Sequence, residues 1–327
     1  MSEADSGANA ADAALVREPA TQARPRKRNI HGWLVLDKPV GMNSTYAVTL
    51  AKRAFRAKKA GHAGTLDPLA SGLLPIAFGE ATKTVPYVMD GRKAYRFTVR
   101  WGIETDTDDA EGKPVATSDM RPAVEAILAV LPQFIGNIMQ VPPAYSALKI
   151  NGERAYDLAR EGEIVELAAR SVAIDDLCLI EANTDDAIFE ATCGKGTYVR
   201  ALARDFGRLL GCYGHIIALR RTRVGDFTEA EAKPASILQE AIIAGTDEAL
   251  PDLMPVSAAL AQVPSATVSD HDASRLRNGQ SVLLRGRDAP ILEGMIAVYC
   301  HQDLVALASF EQGELHPKRI FNLGESR

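Results

Sequence analysis

The chain is poor in cysteine, and its cysteines do not form a recognisable site. Four occur in 327 residues, at positions 178, 193, 212 and 300. No two of them have the short spacing of paired zinc ligands, and nothing in the sequence suggests a secretory signal. We therefore expect four free thiols, no bound metal, and a reducing compartment, the cytoplasm.

Long apolar runs and excess positive charge are missing as well. No segment approaches the ~20 apolar residues of a membrane-spanning helix, so we expect no membrane association. The formal net charge of −5 counts mildly against a nucleic-acid-binding protein. The hydrophobic content of 46% is ample for globular cores, and the length alone predicts about two domains.

What is present is one segment that surrounds a single acid with conformationally special residues. The run GHAGTLDPLASG at 61–72 contains three glycines, one proline and one carboxylate, Asp67. Glycine permits backbone conformations that other residues avoid, and proline fixes its own φ. Such a run holds a shape, and this shape presents Asp67. An Asp-Pro turn whose carboxylate caps backbone amides is the simpler alternative.

Seven other short motifs accompany this run. They are LDKPVG at 36–41, GEATK at 79–83, KAYRF at 93–97, GIETDTDD at 102–109, PPAYSA at 142–147, GTYVR at 196–200 and ALRR at 218–221. In their order and spacing the eight segments resemble the TruB family of pseudouridine synthases, which isomerise uridine 55 in the T loop of tRNA. The resemblance spans about residues 31–225 and continues more weakly to the C-terminus.

The resemblance implies an enzyme that uses one carboxylate and no cofactor. Converting uridine to pseudouridine breaks the glycosidic bond, rotates the freed base and rejoins it through carbon, without a redox step. The family's catalytic aspartate corresponds to Asp67. A lone carboxylate can act as a nucleophile or as a base that takes a proton from the ribose. Attack on the base, attack on the sugar and a route through a glycal all remain open.

Two further residues are implied as catalytic. A carboxylate in an apolar pocket tends to protonate, and in the family a cation at the position of Arg200 prevents this. A planar guanidinium can grip a carboxylate in two places, although arginine near RNA usually contacts phosphate. Tyr198 would face the same side as Arg200 on an extended segment and is a candidate proton acceptor in the late step. A tyrosine buried in the core is its alternative.

Four residues are implied as substrate-binding. Tyr95 corresponds to the aromatic that stacks on the target uracil, although its strand position alone would place it in the core. Leu219 corresponds to the apolar floor of the uracil pocket. His62 corresponds to a residue that enters the RNA and replaces the flipped nucleotide. Lys38 matches a lysine packed near the site, with a structural role more expected than a chemical one.

Charge is unevenly distributed along the chain. Lys52, Arg53, Arg56, Lys58 and Lys59 form a first basic cluster; a second comprises Lys195, Arg200, Arg204, Arg208, Arg220, Arg221 and Arg223. Acids gather instead at 104–111 and 229–252. Solvated faces would explain such clusters. Because the two clusters bracket the Asp67 and Arg200 motifs, we predict a phosphate-lined cleft between them.

Hydrophobic periodicity predicts an α+β fold with a mixed, largely antiparallel central sheet and flanking helices. Strands are expected at 33–36, 95–101, 172–181, 187–193 and 215–224. Helices are expected up to Phe55 from an N-cap at Asn43, Ser44 or Thr45, over 121–130 and over 197–210. After Asp252, a short helix at 269–277 and a hairpin across 301–303 indicate a small β-barrel-like domain.

These elements divide the chain into three parts. Residues 1–29 form a disordered tail with a basic end. Residues 30–253 form the catalytic domain, with an insertion near 143–170 that by resemblance clamps the RNA. Residues 254–327 resemble the appended RNA-binding domain of these synthases, which is PUA-like; a generic β-rich tail is the alternative. We expect a monomer whose partner is the T arm of tRNA, with no protein partner.

Two other functions remain open at this point. A non-catalytic factor that grips tRNA and helps its elbow form would need no Asp67, Tyr95, Tyr198 and Arg200 together. A related synthase that acts on rRNA with a guide RNA usually carries longer basic extensions than this acidic chain. The retained set of candidate catalytic residues favours a tRNA enzyme.

Overall fold

The computed structural model describes residues 26–146, 167–284 and 293–324, and the backbone of a short hairpin formed by β8 (Lys149–Ile150) and β9 (Glu153–Arg154). Most of the predicted tail and of the predicted 143–170 insertion lies outside the described residues. At the described end of the tail, the Arg28 amide donates to the Arg56 carbonyl over 2.7 Å.

A ten-stranded mixed sheet forms the centre of the fold, as predicted. Its strands are β1 (Gly32–Lys38), β2 (Ala60–His62), β3 (Ala70–Phe78), β4 (Lys93–Trp101), β7 (Gly136–Gln140), β10 (Arg170–Ala182), β11 (Asp186–Cys193), β12 (Gly214–Val224), β13 (Phe227–Thr228) and β14 (Lys233–Pro234). The main order is β14-β1-β3-β12-β4-β11-β10-β7, with β2 beside β3 and β13 beside β12. A separate hairpin pairs β5 (Ile103–Thr105) with β6 (Pro114–Thr117).

Most neighbouring strands of this sheet are antiparallel. The parallel pairs are β1 with β14 and β12 with β3. The second of these places Leu219 opposite Ala70, at the end of the Asp67 segment. On its other side β12 pairs with β4, which sets Arg221 opposite Tyr95. Strands that are distant in sequence thus bring three of the predicted motifs to one place.

Six helices accompany the sheets in the described residues. They are α1 (Ser44–Ala54), α2 (Val85–Asp90), α3 (Val124–Val130), α4 (Val199–Leu209), α5 (Ser236–Ala244) and α6 (Asp270–Arg277). Of the three candidate caps of α1, Asn43 is the one that caps the helix, since its side chain accepts from the Tyr46 amide over 2.7 Å. Its apolar positions Ala47 and Ala51 are fully buried. Short 3-10 turns lie at 79–83, 131–134, 229–231 and 256–260.

Helix α4 corrects one expectation about the Arg200 motif. Tyr198 is extended and directly precedes the helix, whereas Arg200 lies in its first turn. The argument that both side chains point the same way along a strand was therefore wrong. They converge because one precedes the helix and the other lies within it. Helix α3 is likewise shorter than predicted, since it begins only at Val124.

A second sheet forms the C-terminal part as a half-barrel. Its strands are β15 (Ser265–Thr267), β16 (Val282–Leu283), β17 (Gly294–Cys300), β18 (Asp303–Glu311) and β19 (Glu314–Ile320), in the order β15-β17-β18-β19-β16. The predicted hairpin is β17 with β18, and the predicted helix is α6. An apolar cluster that includes Trp33, Phe227, Val256, Leu304 and Phe321 joins this sheet to the central one.

Two observations bear on compartment and thiol chemistry. In the described parts of the chain, no helix has both the length and the apolar character needed to cross a membrane. All four cysteines are free thiols. Burial raises the pKa of the Cys193 thiol to about 11, so this thiol is protonated at neutral pH.

Candidate active site

Five of the seven predicted site residues line one cavity of about 310 Å³: Asp67, Tyr95, Tyr198, Arg200 and Leu219. They come from the loop before β3, from β4, from the start of α4 and from β12. The sheet order β3-β12-β4 explains why segments so far apart in sequence meet. The cavity has one acid, one arginine, two aromatics and an apolar wall, which suits a planar base beside a reactive carboxylate.

The Asp67 loop is held from the side of α1. The Ser44 hydroxyl donates to the Leu66 carbonyl over 2.8 Å and accepts from the Leu66 amide over 2.9 Å. The Pro68 carbonyl accepts from the Gly41 amide over 2.8 Å. These bonds fix the backbone on both sides of Asp67, so the carboxylate occupies a defined position rather than a mobile turn.

Arg221 holds the same loop from inside the sheet. Its side chain is 2% exposed and donates to the carbonyls of Leu73, Thr65 and Gly64. It also hydrogen-bonds the Tyr95 hydroxyl, and burial lowers its pKa. We predicted a phosphate contact from this arginine; the structure shows instead a buried cation that joins the Asp67 loop to the Tyr95 strand.

Gly72 allows this close approach. A β-carbon there would lie 2.2 Å from the Arg221 carbonyl oxygen, and the φ of Gly72 is +97°. Any other residue at this position would clash with the Arg221 carbonyl and would strain the backbone. The glycine that closes the sequence motif therefore serves the contact between β3 and β12.

Arg200 contacts Asp67 directly. The Arg200 Nε lies 3.0 Å from Asp67 Oδ2, and the Arg200 side chain is 6% exposed whereas that of Asp67 is 41% exposed. The expected two-point grip is not observed. The other guanidinium nitrogens donate to the carbonyls of Thr107 and Tyr145 over 2.8 and 2.9 Å. A buried arginine must satisfy all its donors, and here the main chain takes the remainder.

Asp109 is a site residue that our sequence analysis missed. Its Oδ2 lies 3.4 Å from Arg200 Nη1, and its side chain is 5% exposed. Its Oδ1 accepts from the Thr107 hydroxyl over 2.6 Å. Arg200 therefore lies between two carboxylates, Asp67 in the cavity and Asp109 behind it. The signal was present in the GIETDTDD motif at 102–109, to which our sequence analysis assigned no site residue.

The second basic cluster is largely neutralised within the protein. Arg204 pairs with Asp108, Arg208 with Glu104, and Arg220 with Asp37 and Glu229. Acids at 104–109 thus fold against the arginines of α4. The phosphate-lined cleft therefore stays a prediction for these arginines, each of which already has a carboxylate partner in the same chain. Burial raises the pKa of Asp108 to about 6 despite the nearby Arg204.

Three residues of the first basic cluster, together with His62, line a separate cavity of about 790 Å³. Among its lining residues are Lys27, Lys52, Arg53, Arg56 and His62, with apolar Val48 and Ala57. The cluster extends from the end of α1 into the segment that follows, because α1 ends at Ala54. Arg56 is paired with Asp247. Burial and the charge of Arg221 lower the pKa of His62, which is therefore uncharged at neutral pH.

Lys38 lies beneath the site and not in the cavity. Its side chain is completely buried, and its Nζ donates to the carbonyls of Met42 and Pro39 over 2.8 and 2.9 Å. Burial lowers the Lys38 pKa to about 8, and the nearby Asp67 opposes this shift. Such contacts are those of a residue that holds a turn, in line with the structural role expected for it.

Tyr95, Leu219 and Tyr198 form the walls of the cavity. Burial raises the pKa of the Tyr95 hydroxyl, and the neighbouring Arg221 opposes that effect. Leu219 is 9% exposed and pairs with Phe97 of β4. The Tyr198 ring is half-buried, with the Arg170 guanidinium 5.2 Å from its centroid. An aromatic ring and a leucine are thus presented to the same space as Asp67.

One group in the described residues has the donor types of a metal site, Asp270, Cys300 and His301. It lies at the start of α6 and the end of β17, with the Cys300 Sγ 3.2 Å from Asp270 Oδ1. None of the three lines the Asp67 cavity. Asp270 and His301 are exposed, and our cysteine-spacing argument did not foresee this group.

Comparisons with known proteins agree with this architecture. Residues 52–199 match the family described as TruB family pseudouridylate synthase (N terminal domain), and residues 200–261 match the tRNA pseudouridylate synthase B C-terminal domain. A protein of Rhodopseudomonas palustris named tRNA pseudouridine synthase B is 58% identical over 329 residues, covering 95% of this chain and 90% of its own. The chain belongs to the TruB family of pseudouridylate synthases.

A second relative supports the same family, and a solved structure supports the same fold. A protein of Bradyrhizobium diazoefficiens, also named tRNA pseudouridine synthase B, is 59% identical over 311 residues and is covered to 90%. The structure titled archaeal box H/ACA sRNP Nop10-Cbf5 complex aligns with a TM-score of 0.68 over 89% of this chain and 86% of its own. At 24% identity it supports the fold alone.

Proposed function

We propose that this TruB family chain isomerises uridine 55 in the T loop of tRNA to pseudouridine, with Asp67 as the catalytic group. The observation that carries the proposal is the Asp67 carboxylate, 3.0 Å from Arg200, in a cavity walled by Tyr95 and Leu219. Relatives 58–59% identical over most of the chain are named tRNA pseudouridine synthase B. Uridine is a planar base on a sugar, and such a cavity accepts it once it leaves its stack.

The proposed reaction places each group in a defined role. Arg200 holds the Asp67 carboxylate in place through the contact of 3.0 Å between its Nε and Asp67 Oδ2. Tyr95 stacks on the uracil and Leu219 supports its other side. The bond from N1 to the sugar breaks, the base turns, and a bond from C5 to the same sugar carbon forms. The C5 proton leaves to a base, for which Tyr198 is the candidate, and N1 gains a proton, so substrate and product have the same composition.

RNA binding is assigned to a different surface. The cavity with His62, Lys52 and Arg53 combines cations with apolar walls, as expected for a groove that holds an RNA backbone. His62 lies on β2, directly before the Asp67 loop, and in the proposed complex it fills the space left by the flipped base. The partner is the T arm of tRNA, bound by a monomer.

We further propose the division of labour along the chain. Residues 30–253 carry the chemistry, with the 143–170 insertion closing over the RNA. Residues 254–327 act as a PUA-like RNA-binding domain. The half-barrel sheet and its shared core with the catalytic part support this arrangement, because a firmly attached domain can extend one RNA-binding surface.

The direct test uses purified protein and an unmodified tRNA transcript, with no guide RNA. Pseudouridine is mapped by carbodiimide labelling and primer extension. We expect one new modification, at position 55, and none in a transcript that carries cytidine there. Binding without modification would favour the folding-factor alternative. A requirement for added guide RNA would favour the rRNA-type synthase.

A further inference from the structure

Gln140 makes an unusual pair of contacts with Tyr198. It is the last residue of β7 and is 1% exposed. Its Nε2 donates to the Tyr198 carbonyl over 3.1 Å, and its Oε1 accepts from the Tyr198 amide over 2.9 Å. One side-chain amide thus satisfies both main-chain groups of a residue 58 positions away in the chain.

Tyr198 directly precedes helix α4, so the Gln140 contacts fix the backbone where that helix begins. Tyr198 is extended, with φ −104° and ψ 111°, and its side chain caps no helix amide. Its backbone is therefore held as if by a neighbouring strand, with the Gln140 side chain acting as the strand partner. The Tyr198 ring leaves this fixed point into the cavity. Arg200 lies in the first turn of α4, two residues after Tyr198. The orientation of the Arg200 side chain therefore depends on the same held backbone position at Tyr198.

The segment that follows Gln140 reinforces this contact. The Val141 carbonyl accepts from Arg204 over 2.8 Å, and the Tyr145 carbonyl accepts from Arg200 over 2.9 Å. Three successive contacts thus align this segment with the first turns of α4. Each of the three contacts uses one side chain, from Gln140, Arg204 or Arg200, so a substitution at Gln140 removes its own contact while both arginines stay in place.

We infer that Gln140 is a positioning residue for the pseudouridine synthase reaction, acting through the Tyr198 main chain to set the Tyr198 and Arg200 side chains. The inference rests on the proposed function, which assigns those two side chains to the chemistry. The amide is required because it supplies a donor and an acceptor together. A carboxylate of the same shape would accept from the Tyr198 amide but repel its carbonyl.

That requirement gives a test that depends on pH. In Gln140→Glu, the new carboxyl lacks a donor when ionised and regains one when protonated. Burial and the facing carbonyl raise its pKa above the ordinary ~4.3. The ratio of variant to wild-type kcat should therefore be lowest near pH 8 and rise as the pH falls towards 5.5. Taking the ratio at each pH cancels any pH dependence that the two proteins share.

The expected loss near pH 8 is at least about tenfold in kcat, since misplacing reacting groups by 1 Å can cost ~10²-fold. KM for the T-arm RNA should change little, because the proposed RNA surface lies elsewhere. Asn137→Asp is the matched control. It makes the same amide-to-carboxylate change on the same strand at an exposed position, and its kcat ratio should not vary with pH.

Hydrogen exchange supplies a measurement that does not depend on activity. In Gln140→Met the Tyr198 amide loses its acceptor, so exchange at that amide should quicken while Tm stays within a few degrees of wild type. If the wild-type protein is inactive, the proposed function fails, whatever the exchange shows. If the wild type is active but the Gln140→Glu ratio is flat with pH and near one, or if the Tyr198 exchange is unchanged, the positioning role is wrong.

Discussion

The Arg200 guanidinium stands between Asp67 and Asp109, with Nε 3.0 Å from the first carboxylate and Nη1 3.4 Å from the second. The two acids differ in exposure, since the Asp67 side chain is 41% exposed and that of Asp109 is 5% exposed. The buried Arg200 cation therefore has a second carboxylate, Asp109, within 3.4 Å. If Asp67 is the catalytic group, as we propose, its contact with Arg200 can break without leaving the arginine unpaired in the protein interior.

Replacing Asp67 by Asn should lower turnover by at least about 10²-fold, because the variant keeps the shape and removes the charge that acts on the nucleotide. Affinity for tRNA should be largely retained, since phosphate contacts elsewhere supply it. Single-turnover assays and filter binding on the same preparation measure both quantities. Near wild-type conversion by this variant would show that the catalytic assignment is wrong.

Arg200→Lys should lose most activity although it conserves the charge. An ammonium cannot reach Asp67 while also serving the carbonyls of Thr107 and Tyr145, as the planar guanidinium does. Removing one partner of a buried ion pair typically costs ~3 to 5 kcal/mol, and the lysine variant should lose less than this in stability. We expect a fall in kcat of at least about tenfold.

Arg204→Lys is the matched control for this change. Arg204 is one turn further along α4, is similarly buried and pairs with Asp108, but does not line the cavity. We expect Arg204→Lys to lower Tm and to change kcat little. Equal kcat losses for the two lysine variants would mean that Arg200 matters only as part of the helix packing.

Tyr95→Phe should retain more activity than Tyr95→Leu, because the phenyl ring keeps a face on which uracil stacks. Stacking on such a ring is worth roughly 1 to 3 kcal/mol per base. The phenylalanine variant also removes the hydroxyl partner of buried Arg221, and a hydrogen bond to a charged group contributes about 1.5 to 3 kcal/mol. We therefore expect lower Tm in both variants, but a larger kcat loss only in the leucine variant.

Phe97→Leu provides the comparison for this pair. It removes a buried ring from the same strand without touching the cavity, so it should lower Tm with little change in kcat. If Tyr95→Phe and Tyr95→Leu lose equal activity, the hydroxyl and not the ring is the working group, and the stacking role is excluded.

Much of the fold followed from local patterns in the sequence. The alternation in β4 and the Asn43 cap of α1 each depend on a few adjacent residues, and each was predicted correctly. The loop around Asp67 could also be identified, because its glycines and proline restrict the backbone locally. These signals need no knowledge of distant contacts.

The electrostatic arrangement could not be predicted in this way. Thr107 and Arg200 are 93 residues apart in the chain, and nothing local indicates that the acids at 104–109 face the arginines of α4. We predicted that the arginines would line a phosphate-binding cleft and assigned no partner to the acids, whereas the fold brings the two groups together. Arg221 was similarly misassigned, because a buried arginine with carbonyl partners has the same sequence signal as one that binds phosphate.

Asp108 should make stability depend on pH between 4 and 6. Its pKa is about 6 in the folded protein and near 3.8 when unperturbed, so in this range the folded state binds more protons than the unfolded state. Stability from this group is therefore greatest at low pH and falls as the pH rises to about 6. In Asp108→Asn the group is absent and this fall disappears.

The measurement is the difference in unfolding free energy between wild type and Asp108→Asn in urea at several pH values. From pH 4 to 6, the unfolding free energy of the wild type should fall relative to that of Asp108→Asn. Above about pH 7 the difference between the two should stay constant. Asp119→Asn, at an exposed position, controls for the loss of one negative charge. A difference that moves in the opposite direction would mean that Arg204 outweighs burial.

A folded T arm should be a far better substrate than a linear RNA of the same sequence. Proteins read RNA mainly where loops present splayed bases, and flipping costs least for a base that is already loosely stacked. The cavity that contains Asp67 and the one that contains His62 are separate. A flipped nucleotide and the loop it leaves can occupy both only if the RNA holds a fixed shape.

The comparison is made by kcat/KM at matched, moderate salt, since low salt lets nonspecific phosphate binding mask the difference. The hairpin should exceed the linear RNA by at least about tenfold, because the linear RNA must pay the cost of ordering before it binds. His62→Ala tests the link between the two cavities. If His62 fills the space left by the flipped base, as we propose, this variant should reduce turnover on the hairpin more than on the linear RNA. Equal rates on both RNAs for the wild type would mean that the enzyme accepts any accessible uridine, and the T-loop assignment would then be wrong.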